Sequence, residues 1–209
     1  MRGLYAIADV EALQRAQLNL LDFVSEVLRA GPAALQLRAK ASDARDTLAL
    51  LERLQALCRS AKVPLFCNDR IDLALLAGCD GVHVGQHDPP PRAVRKLAPG
   101  LALGVSTHTL AQLEQALAER PTYVAFGPVF GTSSKREADP VVGLEALREA
   151  HQRCKQAGVP LVAIGGITLE RAGDVARAAD AGAVISALLP VQGEGSEARA
   201  RALQRALGG

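Results

Sequence analysis

The sequence contains no tryptophan, and its few phenylalanines and tyrosines bring the aromatic share to only 3%. A core drawn from this inventory must rest on Leu, Val, Ile and Ala. A stacking platform for nucleic-acid bases is excluded. An excess of one charge is missing as well. The 24 basic and 22 acidic residues leave a net charge of +2 and no Lys/Arg block, so nucleic acid is not an expected partner. No segment reaches the roughly 18 uncharged apolar residues that a membrane span needs. The opening run, Met1 to Asp9, is too short for a signal peptide and closes on an acid. The four cysteines (Cys58, Cys67, Cys79, Cys154) form no CxxC pair and follow no metal-ligand spacing. They read as reduced, mostly buried thiols of a cytoplasmic protein.

What the chain does have is a regular alternation. Short apolar runs bounded by Gly, Pro, Asn or Asp fall at Gly3–Ala8, Ala33–Arg38, Val63–Cys67, Gly81–Gly85, Ala102–Val105, Tyr123–Phe126, Pro160–Ile164 and Ala183–Ser186. Such runs are typical of buried parallel strands. Amphipathic helical patterns lie between them, among them Leu18–Ala30, Ala44–Ser60, Leu110–Ala118, Gly143–Gln156 and Leu169–Ala178, with Glu197–Leu207 closing the chain. Strand–helix alternation predicts βαβ units and a parallel sheet. Eight repeats in 209 residues predict one (β/α)₈ barrel domain spanning residues 1–209. A doubly wound open sheet would usually carry a Gly-rich turn after its first strand. Here that strand ends Ala6-Ile7-Ala8-Asp9.

Barrels of this class keep their chemistry at the carboxyl ends of the strands. Two expected strand ends carry an acid, Asp69 after Phe66-Cys67-Asn68 and Asp88 after Gly85-Gln86-His87. Placed on one rim, two carboxylates can hold a hard cation such as Mg²⁺. The plain alternative is that Asp69 caps the next helix and Asp88 caps the turn before Pro89-Pro90-Pro91. Strand two ends in Gln36-Leu37-Arg38-Ala39-Lys40, where two cations share a face and await either a polyanion or Asp43 and Asp46. Strand five ends in Ser106-Thr107-His108. Strand six leads into a hydroxyl-rich loop, Gly131-Thr132-Ser133-Ser134-Lys135, suited to phosphate oxygens. Gly165-Gly166-Ile167-Thr168 follows strand seven and opens a helix, a phosphate position in many barrels that Ile185-Ser186 would complete. His83 reads as a barrel-interior histidine held by hydrogen bonds, and His108 as a helix cap. With no Ser-His-Asp or Cys-His pattern, nucleophilic catalysis has no support.

Together, Gln36 to Lys40, Asn68-Asp69, Gly81 to Asp88, Gly104 to Thr109, Tyr123 to Phe130, Thr132 to Lys135 and Ala163 to Thr168 resemble thiamine-phosphate synthases, in order over nearly the whole chain. The resemblance implies a (β/α)₈ barrel that joins 4-amino-5-hydroxymethyl-2-methylpyrimidine diphosphate to 4-methyl-5-(2-phosphoethyl)thiazole. It implies that Gln36, Arg38, Lys40, Asn68, Ser106 and Lys135 hold the pyrimidine diphosphate, with Arg38, Lys40, Ser106 and Lys135 serving catalysis. It further implies Mg²⁺ on Asp69 and Asp88, and the thiazole phosphate on Thr132, Ser134, Gly166, Ile185 and Ser186. A homodimer is compatible with it. Three positions depart from the common family pattern: Ala39 and His87, where acids are usual, and Arg171, where Asn is usual. Two rivals remain. One is a thiazole tautomerase-like isomerase, whose branch places a catalytic His where this chain has Pro128. The other is a non-catalytic phosphate-binding barrel, which would have no reason to keep two rim acids beside three cations.

Overall fold

A computed structural model describes residues 1–132 and 140–209 of the chain. Eight parallel strands close into a barrel in sequence order. They are β1 (Gly3–Asp9), β2 (Ala34–Arg38), β3 (Leu65–Asn68), β4 (Gly81–Val84), β5 (Ala102–Thr107), β6 (Tyr123–Phe126), β7 (Leu161–Ile164) and β8 (Ala181–Val184). The helices outside them are α1 (Val10–Arg15), α2 (Leu20–Leu28), α3 (Ala44–Ala61), α4 (Ile71–Leu76), α5 (Pro91–Leu97), α6 (Leu110–Ala118), α7 (Gly143–Ala157), α8 (Leu169–Ala176) and α9 (Ser196–Ala206). The expected barrel is the observed one.

The helices begin where short polar side chains satisfy free backbone donors. Asn19 accepts from the amides of Leu21 and Asp22, Asp43 from Asp46, and Thr109 from Gln112. Lys62 and Gly158 end α3 and α7 in the left-handed conformation. Most of the apolar side chains pack between strands and helices, in one cluster that includes Leu4, Leu35, Leu65, Val82, Leu103, Val124 and Leu161. No helix among the described residues is long and apolar enough to cross a membrane.

Most boundaries shift by a residue or two, and some of the differences have local reasons. β3 starts at Leu65 rather than Val63, because Pro64 has no N–H to give a ladder; its carbonyl still accepts from Leu35 at 3.0 Å. β8 runs Ala181–Val184 rather than Ala183–Ser186. Its Gly182 looks like a loop residue, yet a Cβ there would sit 2.8 Å from Leu207 Cδ2, so glycine lets the Leu207 side chain pack close against the strand. The helix expected over Leu18–Ala30 is α2, which starts at Leu20 because Asn19 caps it, and the short helix α1 precedes it.

Inside the barrel a second cluster gathers Tyr5, Phe66, Tyr123, Ile7, Ala125 and Val162. Both tyrosines of the sequence lie here, within 5.5–5.9 Å of one another or of Phe66 by ring centroid. Two glycines make the room. A Cβ at Gly81 would meet the Phe66 ring and the Ala102 carbonyl, and one at Gly104 would lie 2.6 Å from His83 Nδ1 and collide with the Tyr123 ring. The few large rings thus form the floor on which the upper rim stands.

Candidate active site

Strand pairing decides which side chains meet above this floor. Side chains alternate faces along a strand, so the inward positions continue from Tyr5 to Asp9, from Ala34 to Gln36 and Arg38, and from Phe66 to Asn68. Asp9 pairs with Arg38 in register, and Asn68 with His83. A cavity of about 900 Å³ opens at the carboxyl ends of the strands. Its wall includes Gln36 and Arg38 on β2, Lys40 just after it, Asn68 on β3 and Asp69 after it, Asp88 after β4, and Ser106 on β5. Across the mouth it includes Thr132, Gly166, Ile185 and Ser186. The candidate residues thus share one cavity, apart from Ser134 and Lys135, which fall outside the described residues.

The cations find partners other than Asp43 or Asp46. Arg38 is ion-paired with Asp9, whose other carboxylate oxygen caps α1 by accepting from the Ala12 amide at 2.8 Å. Glu11 lies 3.8 Å from the same guanidinium and also accepts from the Ala41 amide at 2.6 Å. Asp9 and Glu11 therefore fix Arg38 at the rim. The sequence marked this role only by ending β1 on an acid. Lys40 Nζ lies 3.2 Å from Asp69 Oδ2.

Asp69 is not a helix cap. The residue at the start of α4 is Arg70, with no side-chain capping bond, while Asp69 adopts φ +62° and its amide donates to the His83 carbonyl at 2.8 Å. Asp and Asn enter this left-handed region more readily than other residues. The turn faces the Asp69 carboxyl into the cavity. Burial raises its pKa, the nearby Asp88 charge raises it further, and Lys40 opposes both. Asp88 does hold a turn, since its Oδ2 accepts from the Gly85 amide at 2.7 Å, yet it also lines the cavity. Two mutually repelling carboxylates, one of them partly desolvated, form a hard-oxygen donor pair. Among the described residues no group of three or more His, Cys, Asp or Glu gathers as a metal cage. Such a pair suits a cation that retains waters and substrate oxygens.

On the opposite side, Gly165 and Gly166 have φ +100° and +63°. A Cβ at Gly165 would collide with Pro128, and one at Gly166 with the Gly131 carbonyl. The turn is pinned by the amides of Val129 and Phe130, which donate to Ile164 and Gly165 carbonyls at 2.8 and 3.1 Å. Ser186 begins a 3₁₀ turn, Ser186–Leu188, beside this corner. Arg171 stacks on the Phe130 ring at 4.7 Å and donates to the Gly166 carbonyl at 2.8 Å. The departure at this position thus places a guanidinium on the turn itself.

Beneath the rim, His83 is the hydrogen-bonded interior residue expected, with Nδ1 2.7 Å from Tyr123 Oη and Nε2 2.7 Å from Ser106 Oγ. His108 is no cap. Thr109 caps α6, and His108 Nδ1 meets the Gly127 carbonyl at 2.6 Å, tying β5 to the loop after β6. All four cysteines are buried, and burial pushes each thiol up to about 12. Cys67, for all its proximity to Asn68-Asp69, faces the packed side of β3. Among the described residues the site therefore offers charge, hydroxyls and amides, with no activated nucleophile in view.

Comparison with known proteins agrees with this geometry. The family model for thiamine monophosphate synthase matches residues 4–188. The chain is 45% identical over 191 residues to a thiamine-phosphate synthase of Roseiflexus castenholzii, covering 90% of this chain and 82% of that protein. It is 41% identical over 213 residues to one from Deinococcus radiodurans, covering 98% and 73%. Among solved structures, a thiamine phosphate pyrophosphorylase from Pyrococcus furiosus superposes with a TM-score of 0.86 at 31% identity, covering 98% of this chain and 95% of that one. The chain belongs to the thiamine monophosphate synthase family.

Proposed function

We propose that this transferase condenses 4-amino-5-hydroxymethyl-2-methylpyrimidine diphosphate with 4-methyl-5-(2-phosphoethyl)thiazole, releasing thiamine phosphate and pyrophosphate, with Mg²⁺ as cofactor. The observation that carries the reading is the division of one cavity into two anion corners. Arg38, Lys40, Asp69 and Asp88 stand at one side and the Gly165-Gly166 turn with Ser186 at the other.

The C–O bond between the pyrimidine methylene and the diphosphate breaks, and its electron pair leaves with the diphosphate oxygen. The pyrimidine-methyl cation that remains is stabilised by its ring amine. The thiazole nitrogen lone pair then forms the new C–N bond. No enzyme nucleophile is needed, which matches the inert buried thiols and the absence of a triad in the sequence. Asp69 and Asp88 would hold Mg²⁺, which when bound supplies charge neutralisation on the departing diphosphate. Arg38, braced by Asp9 and Glu11, is preorganised to meet the same charge. Lys40, held 3.2 Å from Asp69, is within reach to do so too. Ser106, Gln36 and Asn68 present polar groups to the pyrimidine. Gly166 and Ser186, near the start of a 3₁₀ turn, offer backbone and hydroxyl donors to the thiazole phosphate, with Ile185 and Thr132 beside them. Ser134 and Lys135, outside the described residues, complete the reading. Pro128 lines the same cavity and carries no proton, so it cannot act where the isomerase branch uses histidine.

Purified protein given both substrates and Mg²⁺ is expected to form thiamine phosphate with stoichiometric pyrophosphate. Formation should stop with EDTA and resume on adding Mg²⁺. No product under conditions in which a family synthase turns over overturns the reading.

A further inference from the structure

The cavity floor carries a continuous file of hydrogen bonds that the reaction as described does not use. Ser106 Oγ meets His83 Nε2 at 2.7 Å, and His83 Nδ1 meets Tyr123 Oη at 2.7 Å. Tyr123 Oη meets Tyr5 Oη at 2.7 Å, Tyr5 Oη donates to Gln36 Oε1 at 2.9 Å, and Gln36 Nε2 donates to Asn68 Oδ1 at 2.8 Å. The file crosses the barrel from β5 to β3. Its middle members are buried, and burial holds both phenols protonated well above the usual range.

Each phenol has one proton, so with Gln36 Oε1 as the acceptor and His83 neutral the file runs in one direction. Tyr5 gives its proton to Gln36 and must accept from Tyr123. Tyr123 must then accept from His83, which places that proton on Nδ1. A neutral His83 has a bare Nε2 and accepts from the Ser106 hydroxyl. The two ends are thereby fixed. Ser106 turns its proton inward and shows lone pairs to the cavity, while Asn68 uses its oxygen inward and leaves its NH₂ to a ligand. Phenylalanine at both tyrosine positions would fill the same floor, but it would leave His83 Nδ1 and Gln36 Oε1 without their partners. The hydroxyls are thus unexplained by packing alone.

We propose that Tyr5, Tyr123 and His83 are positioning residues that impose this polarity, an acceptor at Ser106 and a donor at Asn68, on the pyrimidine edge of the site. The pattern is the complement of an aminopyrimidine, whose exocyclic amine donates and whose ring nitrogen accepts. An oxo-pyrimidine presents the reverse. The inference rests on the synthase reading and adds to it the device that selects the amino form.

Two measurements test it. The first is calorimetric affinity for the unreactive 4-amino-5-hydroxymethyl-2-methylpyrimidine monophosphate and for its 4-oxo counterpart, in the native protein, Tyr5→Phe and Tyr123→Phe. The native protein should prefer the amino compound, and each variant should lose at least tenfold of that preference while the KM for the thiazole phosphate stays within twofold. An unchanged preference in the Phe variants overturns the proposal. A native protein that binds neither compound strikes instead at the synthase reading, and the proposal falls with it. The second is the ¹⁵N shift pattern of His83 in the native complex with the amino monophosphate, which needs no variant. A neutral Nδ1–H ring is expected, and an Nε2–H ring overturns the proposal.

Discussion

Asp69 shows why the choice of substitution matters at a single residue. Its φ of +62° is tolerable for Asp or Asn but costs about 1–2 kcal/mol for a residue with an ordinary Cβ. Asp69→Asn should therefore lose most of its turnover, about 100-fold or more, while its melting temperature stays near that of the native protein. Asp69→Ala should lose both, and kinetics beside thermal melts separate the two effects. The carboxyl's raised pKa gives a second expectation. Its protonated form is favoured in the fold, so this contribution to stability is present below its ordinary value of 3.8 and is lost as pH rises through the higher folded value. A bound cation removes that penalty. The rise in melting temperature on adding Mg²⁺ should be small near pH 4 and grow toward neutrality. The thiols behave oppositely to catalytic cysteines. Held near pKa 12, all four should resist a disulfide reagent at pH 8 until the protein unfolds. Residue types at strand ends were legible in the sequence for Asp69, Asp88, Arg38 and Lys40, because a barrel confines chemistry to those positions. Partners were not. Asp9 and Glu11 bind Arg38 through strand register, and register appears only once β1 and β2 lie side by side.

Among the elements, the turn after β7 has the narrowest tolerance. Gly165→Ala must fit a Cβ against Pro128 at a φ of +100°, so the turn must shift. In the proposed reaction, a shift of this kind would move the amides offered to the thiazole phosphate. Gly165→Ala is expected to raise the KM for that substrate tenfold or more while changing the affinity for the pyrimidine monophosphate little. Initial rates at varied thiazole phosphate check it. Long amphipathic elements were plain in the sequence, and α6 and β6 fall where the apolar spacing puts them. The six residues of α4 and seven of α5 carry under two turns of periodic signal, too few for a pattern to stand out. The start of β8 was hidden for the opposite reason. Its small residues serve packing against α9 and so lack the bulk by which a strand is recognised.

At the scale of the molecule, stability and chemistry occupy opposite ends of the barrel. At the amino-terminal end the last turn of α9 meets β1, where Gln204 accepts from the Leu4 amide at 2.7 Å and donates to the Gly31 carbonyl at 3.0 Å. Gln204→Ala leaves a buried strand donor unpaired, which costs about 1–3 kcal/mol. Denaturant melts should register that loss while kcat and both KM values remain those of the native protein.

The layer of Tyr5, Phe66, Tyr123 and His83, admitted by the bare backbones of Gly81 and Gly104, has a consequence for traffic. It makes the barrel a cup with a sealed base, so whatever enters must leave by the mouth it came through. In the proposed reaction, pyrophosphate released beside Asp69 and Asp88 would sit at that mouth, above the ring it has just left. Its departure, and that of the larger product below it, are then successive events at a single doorway.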